Sequence, residues 1–435
     1  MTPTDAAIDP DALAALAYEA LDWRFKAIPV TAWGKTVGAL LAERPRLSDF
    51  GTPLLTLDAP ALESNLRTMA AYCAEAGVLL APHGKTTMAP ALWSRQLDAG
   101  AWGITVANVP QVRVGRAFGV RRLHLANALV DPAALHWISA ELDADPSFGF
   151  SSWVDSRSTV ALMDDALRAR GAQRPLDVFV ELGAPGKRTG AREIDEALDI
   201  ATAIAAAPTL RLVGVAGYEG VVAHESTPEA LEAVRIYLHR IAELHSRLLT
   251  AGLYRDTDEV FITAGGSAFF DQVVDVLGPL SGLGINVLLR SGAYVIHDDG
   301  FYSGISPFSR SADDQQERPF RSAMHGWARV LSRPEPELVL LDGGKRDFPF
   351  DEGLPVPQHT RGKTDDLTTS TSVTALADQH TFMRVDPRVP LAVGDVVRLG
   401  LSHPCTALDK WTLIPVLDDA SSADPVIVDL IRTYF

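Results

Sequence analysis

Four short stretches carry residue types and spacings that could do chemistry. In LLAPHGKTTMAP (79–90), Lys85 follows an apolar run directly, with His83 two places before it. A lysine closing a buried strand is poorly hydrated, so its amine pKa falls and it becomes a competent nucleophile, able to form a Schiff base. The plainer alternative is a solvated lysine opening a loop. In TAGGSAFF (263–270), Gly265, Gly266 and Ser267 offer amides and a hydroxyl at a strand-to-helix junction, a place that suits phosphate. A tight turn explains the same residues. GAPGKRTG (183–190) carries Arg188 and looks like a phosphate loop. It is not the nucleotide type, because Glu181 stands where the first glycine of GxxxxGK belongs. In LSHPC (401–405), His403 and Cys405 are two apart, and both side chains suit zinc. Two ligands are too few for a closed structural site, and core packing explains a bare HxC equally well.

Other schemes lack their usual support. The chain has no GxSxG, HExxH, CxxC or GxGxxG. Lys plus Arg number 39 against 55 Asp plus Glu, a net charge of −16. That balance argues against nucleic acid or an anionic membrane as partner and favours a small-molecule ligand held by a local site. With only two cysteines, Cys73 and Cys405, no disulfide framework is expected, and a reducing cytoplasm is the default. The N-terminus lacks the basic and apolar regions of a signal peptide. No apolar run reaches membrane-spanning length; the best, near 285–296, is broken by Arg290.

The elements that would position these residues follow from the apolar pattern. The 435 residues, 47 % of them hydrophobic, with a mean hydropathy of +0.08, allow two domains with large cores. From Thr52, short apolar runs alternate with helical stretches: LLTLD, VLLAP, GITVA, LHLAN, GFSSWVD, DVFVELG, LVGVAGY, EVFITAGG and INVLLR. In the longest helical stretch, Leu231, Val234, Leu238, Ile241 and Leu248 share a face. Strands alternating with helices imply parallel pairing, and the eight runs from Val78 onward suit a (β/α)8 TIM barrel; an open doubly wound sheet is the alternative. Reactive residues of such a barrel gather at the C-terminal strand ends. Lys85, Asn127, Arg188, Tyr218, Glu219 and the 265–267 turn all stand just after a strand run. Beyond about residue 300, HGWARVLSR, ELVLLDGG, QHTFMRVD, DVVRLGL and WTLIPVL read as strands without intervening long helices. The expected division is a helical leader (1–50), the barrel (51–300) and a β-rich C-terminal domain (301–435), with 351–372 as a surface loop.

Taken in order, these pieces resemble the D-threonine aldolase / D-serine dehydratase-like family, which has the alanine-racemase fold (fold-type III). TPLLTLDAPALESNL, LLAPHGKTTM, QLDAGAWGITVANVPQV, HLANALV, KRTG, GYEG, TAGGS, LRSGAY, LDGGK and GDVVRLGLSHPC carry the resemblance, from about Thr52 to Trp411. It implies pyridoxal 5'-phosphate on Lys85, with His83 beside the ring and Arg188 and Tyr218 in contact with the cofactor, Tyr218 near the pyridine nitrogen. Gly265, Gly266, Ser267, Gly292 and Ala293 would hold the phosphate, with Tyr294 close by. His403 and Cys405 match the family's zinc pair. Gly84, Thr87, Met88, Ser402, Lys410 and Trp411 depart from the usual family residues, which bears on the substrate more than on the cofactor.

The resemblance implies a lyase acting on D-3-hydroxyamino acids, as a cytoplasmic homodimer. Cysteine at the second metal position tilts the expectation to a D-serine/D-threonine-type dehydratase giving a 2-oxo acid and ammonia. A D-threonine-type aldolase giving glycine and an aldehyde, an amino-acid racemase, and a non-catalytic pyridoxal-phosphate carrier stay open.

Overall fold

The computed structural model describes residues 8–254, 257, 259–310, 319–363 and 365–435. Residues 1–7 of the expected leader and Thr364 of the expected surface loop lie outside the described residues. The chain divides into two compact units. One comprises the residues up to Asp9, Met69–Lys85 and Ser94–Gly292; the other comprises Pro10–Thr68, Thr86–Trp93 and Ala293–Phe435.

Strand β1 (Leu54–Asp58) belongs to the second unit. The first unit holds β2 (Leu79–Leu80), β3 (Ile104–Val106), β4 (Arg122–Ala128), β5 (Gly149–Val154), β6 (Leu176–Glu181), β7 (Leu210–Ala216), β8 (Val260–Ala264) and β9 (Ile285–Leu289). They pair in the order β2-β9-β8-β7-β6-β5-β4-β3, always parallel. The two ends of this sheet meet. The Trp102 amide donates to the Leu80 carbonyl at 2.7 Å, the Thr105 amide to Pro82 at 3.0 Å, and His83 bridges Thr105. The eight runs from Val78 onward are therefore the barrel strands. They read as continuous apolar runs because helices cover one face and the barrel core the other.

The longest helix, Pro228–Thr250, starts where Thr227 accepts the Ala230 amide on its hydroxyl at 3.2 Å, with proline in the first turn. It buries Val234, Leu238, Ile241 and Leu248, together with Tyr237, Leu244 and His245, while Leu231 is half-buried. Ala81, Trp153, Phe179, Val213, Phe261 and Leu288 pack into one core cluster. Each such aromatic removes ~150–250 Å² from water, several kcal/mol at about 25 cal/mol per Å².

The second unit adds β10 (Met324–Glu335), β11 (Leu338–Asp342), β12 (Val356–Thr360), β13 (Thr371–Leu376), β14 (His380–Val385), β15 (Val396–Gly400), β16 (Leu413–Leu417) and β17 (Ile427–Arg432). Their order is β13-β14-β11-β10-β1-β16-β17, with β15 joining β10 and β12. All pairs are antiparallel except β1 with β16. Three differences from expectation stand out. LLTLD is a strand, but of this sheet and not of the barrel. The segment 351–372 is not simply a loop: it contains β12 and the start of β13. VPQHT has no apolar run, and it becomes a strand because β15 supplies its partners and Pro357 and Thr360 turn inward. The stretch DPDALAALAYEALDWRF forms only the helix Pro10–Ala15 and a 3-10 turn through Tyr18; neither buries a residue, so no packing extends the helix, and burial begins only beyond it, at Leu21 and Phe25. Residues further along this segment are tied into the unit. Lys26 reaches Asp347 at 3.0 Å and Ser48 donates to Asp424 at 2.8 Å.

Among the described residues, no helix is long and apolar enough to cross a membrane.

Candidate active site

A cavity of about 190 Å³ opens at the C-terminal strand ends of the first unit. Each strand end sends something into it. His83 and Lys85 follow β2, Asn127 is the last residue but one of β4, Trp153 lies in β5, and Glu181 closes β6. Tyr218 follows β7, Gly266 follows β8 and Arg290 follows β9. Arg188 arrives on the loop after β6, its guanidinium 5.5 Å from the Tyr218 ring centre. Lys85, Arg188 and Arg290 make the lining cationic in a chain of net charge −16, so an anionic ligand is favoured here by local charge alone.

Local bonding fixes these side chains. The Tyr237 hydroxyl, on the helix Pro228–Thr250, donates to the Leu182 carbonyl at 2.5 Å and accepts the Tyr218 amide at 3.1 Å, so one phenol spaces the ends of β6 and β7. The Arg192 guanidinium donates to the carbonyls of Thr189 at 3.0 Å, Gly190 at 2.7 Å, Lys187 at 3.3 Å and Arg188. It is the clasp of the loop that carries Arg188. Below, the buried Arg290 donates to the Thr263 hydroxyl and the Gly217 carbonyl, each at 2.6 Å, under the Trp153 ring at 4.9 Å. The Trp153 indole donates to His124 Nε2 at 2.9 Å, which leaves His124 Nδ1–H for the Ser151 hydroxyl.

Two buried groups are electrically unusual. Burial pushes the Glu181 carboxyl up to about 7, against the Thr189 hydroxyl that lowers it, and its Oε2 has no hydrogen-bond partner. Burial, then the charges of Lys85 and Arg290, hold His83 well below its ordinary value, so its ring is neutral; its Nδ1 is buried without a partner.

The glycines of the sequence motifs are close-approach positions. A Cβ on Gly266 would lie 2.7 Å from the Tyr218 ring, and one on Gly292 would lie 2.4 Å from the His83 carbonyl oxygen. Gly265 has a φ of +94°, a left-handed conformation that favours glycine. The amides of Gly265 and Gly266, expected to face a phosphate, donate instead to the fully buried Glu219 carboxylate at 3.0 and 2.6 Å. A buried carboxylate requires such partners, and two convergent amides are the nearest ones. Ser291 donates to both carbonyls of the same turn, at 3.1 and 3.2 Å. Ser267 stands next in this turn, half-buried.

The first unit thus brings Lys85, His83, Arg188, Tyr218 and Gly266 to one cavity, with Gly265, Ser267 and Gly292 in the adjoining turns. Ala293 and Tyr294 belong to the second unit, buried in a 3-10 turn, with the Tyr294 ring 5.9 Å from Phe320. His403 and Cys405 also lie there, at the turn after β15. Burial lowers the His403 pKa, but the Cys405 sulfur and Asp351 outweigh it and raise it to about 9. His403 Nδ1 is 2.6 Å from Asp351 Oδ2. Sequence reasoning had not proposed Glu181, Arg290, Trp153 or Asp351 as site residues; Glu181 read as the break in a phosphate-loop motif, Arg290 as the break in an apolar run, and Trp153 as an ordinary strand position.

The cavity fits pyridoxal phosphate. It offers an amine for the aldehyde, cations for the anionic substituents, and in His83 Nδ1 a buried polar atom that lacks a partner. The donor chemistry of His403 and Cys405 fits an open metal site completed by other ligands. Among the described residues, no group of three or more His, Cys, Asp or Glu gathers to enclose an ion.

Residues 57–268 match the family described as alanine racemase, N-terminal domain, and residues 323–417 match the putative serine dehydratase domain. The chain is 31 % identical over 365 residues to D-threonine aldolase from Arthrobacter sp, spanning 82 % of this chain and 86 % of that protein. It is 26 % identical to 3-hydroxy-D-aspartate aldolase from Paracoccus denitrificans (strain Pd 1222), over 84 % of this chain and 88 % of the other. The crystal structure of D-threonine aldolase from Filomicrobium marinum superposes with a TM-score of 0.71 at 25 % identity, covering 89 % of this chain and 96 % of that one.

Proposed function

Because the chain belongs to the D-threonine aldolase / D-serine dehydratase-like family, with the alanine-racemase-like fold, we propose that it is a pyridoxal-phosphate lyase of D-3-hydroxyamino acids. We further propose that it dehydrates them. The observation that carries the lyase reading is Lys85 at a cavity it shares with Arg188, Tyr218 and Arg290.

Lys85 would bind the cofactor, with His83, Arg188 and Tyr218 around it and the turns at Gly265–Ser267 and Gly292–Tyr294 towards its phosphate. When bound, pyridoxal phosphate supplies the electron sink for carbanion chemistry at Cα. With substrate bound, Lys85 Nζ would take the α-proton. The electron pair left at Cα would expel the β-hydroxyl, which takes the proton held on Lys85 Nζ and leaves as water. The enamine then gains a proton at Cβ, and hydrolysis gives a 2-oxo acid and ammonia. The neutral ring of His83 adds no charge beside the amine of Lys85. In the second unit, His403 and Cys405 are the proposed zinc donors; zinc supplies Lewis acidity to a hydroxyl leaving group. A homodimer is part of the same proposal.

Dehydration rests on cysteine as the second donor. The identity to D-threonine aldolase favours a second reading, in which the hydroxyl loses its proton and the Cα–Cβ bond breaks to give glycine and an aldehyde. The test compares the wild type with Lys85→Ala. An absorbance band of lysine-bound cofactor near the visible edge is expected in the first and not in the second. With D-serine and D-threonine, ammonia without aldehyde is expected. Aldehyde with glycine selects the aldolase, and no band even with added pyridoxal phosphate sinks the lyase reading.

A further inference from the structure

We propose that Asp351 is the positioning residue of the metal pair: its carboxylate fixes His403 as the Nδ1–H tautomer, so that Nε2 is the atom offered, with the Cys405 sulfur, to a divalent cation. This rests on the zinc reading above and goes beyond it. The segment that holds Asp351 was expected to be a surface loop, and the Asp351 carboxylate bonds into the metal-pair turn through both oxygens. Asp351 Oδ2 lies 2.6 Å from His403 Nδ1, and Asp351 Oδ1 accepts the Thr406 hydroxyl at 2.7 Å. The next residue, Glu352, accepts the Ser402 hydroxyl on its carbonyl at 2.7 Å. Residues before, at and after the pair are therefore tied to the same two-residue stem.

An ionised carboxylate only accepts, so the proton of a neutral His403 ring must sit on Nδ1, and the lone pair then sits on Nε2. A carboxylate on the far nitrogen also raises the basicity of a ligating imidazole and stops its rotation. The main chain is fixed independently. His403 adopts a left-handed conformation (φ 50°, ψ 82°), and its amide donates to Asp298 Oδ2 at 2.9 Å. Asp298 is buried, and its other oxygen accepts the amides of Gly300 at 3.0 Å and Tyr302 at 2.9 Å. A backbone held in a strained region by a buried carboxylate is a pattern of functional sites. Asp298 thus sets where His403 starts, and Asp351 sets where its ring points.

The test measures zinc affinity by competition with a chromophoric chelator, on enzyme stripped of metal and carrying pyridoxal phosphate. Asp351→Ala should bind zinc 10–100-fold more weakly, the usual loss for an outer-shell partner. Asp351→Asn should keep most of the affinity, because its amide oxygen still accepts from Nδ1–H. The cofactor absorbance band and the melting transition should be the same in both variants. Equal affinity in Asp351→Ala and wild type overturns the proposal. So does an Asn variant as weak as the Ala variant, which would make Asp351 a donor in its own right. A wild type that binds no zinc instead fails the zinc reading itself.

Discussion

Replacing Glu219 with glutamine should loosen one turn of the barrel mouth and leave the rest of the barrel in place. The carboxylate accepts the amides of Gly265 and Gly266, one on each oxygen, and no water reaches it. Glutamine has the same shape but only one accepting oxygen, and its NH2 would face the second backbone N–H. One bond to a charged acceptor disappears, about 1.5–3 kcal/mol, and one buried donor is stranded, about 1–3 kcal/mol. The two together come to about 2.5–6 kcal/mol, which at about 1.4 kcal/mol per factor of ten is roughly a hundred- to ten-thousandfold more frequent opening. Hydrogen exchange followed by mass spectrometry on peptides covering 263–270 reads this directly. Protection at Gly265 and Gly266 should fall by that factor while the peptides of β4 and β5 keep theirs. Unchanged protection at 265–266 would refute the reasoning, because it would mean that Glu219 does not hold the turn. Gly266 lies against the Tyr218 ring, so the loosened variant should also bind pyridoxal phosphate less tightly.

Two further outcomes are expected, beside those stated for Lys85 and Asp351. Glu181 is held near 7 by burial, above its ordinary 4.5, so the folded state binds its proton more tightly than the unfolded state. That stability is complete below about 4.5 and is lost as pH rises through about 7, up to about 3 kcal/mol. Glu181→Gln escapes the loss, so its melting temperature should gain on the wild type between pH 5 and pH 8; a constant difference would show that the carboxyl does not titrate there. Arg192→Met removes the clasp on the loop that carries Arg188. Re-ordering one long side chain costs about 0.5–1.5 kcal/mol, so titration of the cofactor-free protein should show up to about tenfold weaker pyridoxal-phosphate binding. An unchanged dissociation constant would separate that loop from the cofactor.

The barrel was legible because its strands are covered on both faces. DVFVELG and INVLLR are mostly apolar, and the chain spaces such runs with capped amphipathic helices. Lys85, Arg188 and Tyr218 were legible for a related reason: a polar residue immediately after an apolar run marks a strand end. Glu181 and Arg290 obey the same rule, but each stands inside a longer motif with a ready explanation, a failed phosphate loop and a broken apolar run. Strand β12 was not legible, since VPQHT owes its conformation to β15 and not to its own pattern. Asp351 could not be read at all. Its partner His403 is far along the chain, and only folding makes them neighbours.

The place of β1 has a consequence for how the chain is made. Leu57 pairs with Met324 on one side and with Val416 on the other. A ribosome adding ~5–20 residues per second releases LLTLD tens of seconds before either partner emerges. For that interval a nascent chain carries an apolar strand with both edges open, the kind of segment that recruits other chains. A chain cut short before Met324 would keep both edges open, and one cut between β10 and Leu413 would keep one open, so each half of the second sheet retires one exposed edge as it is made.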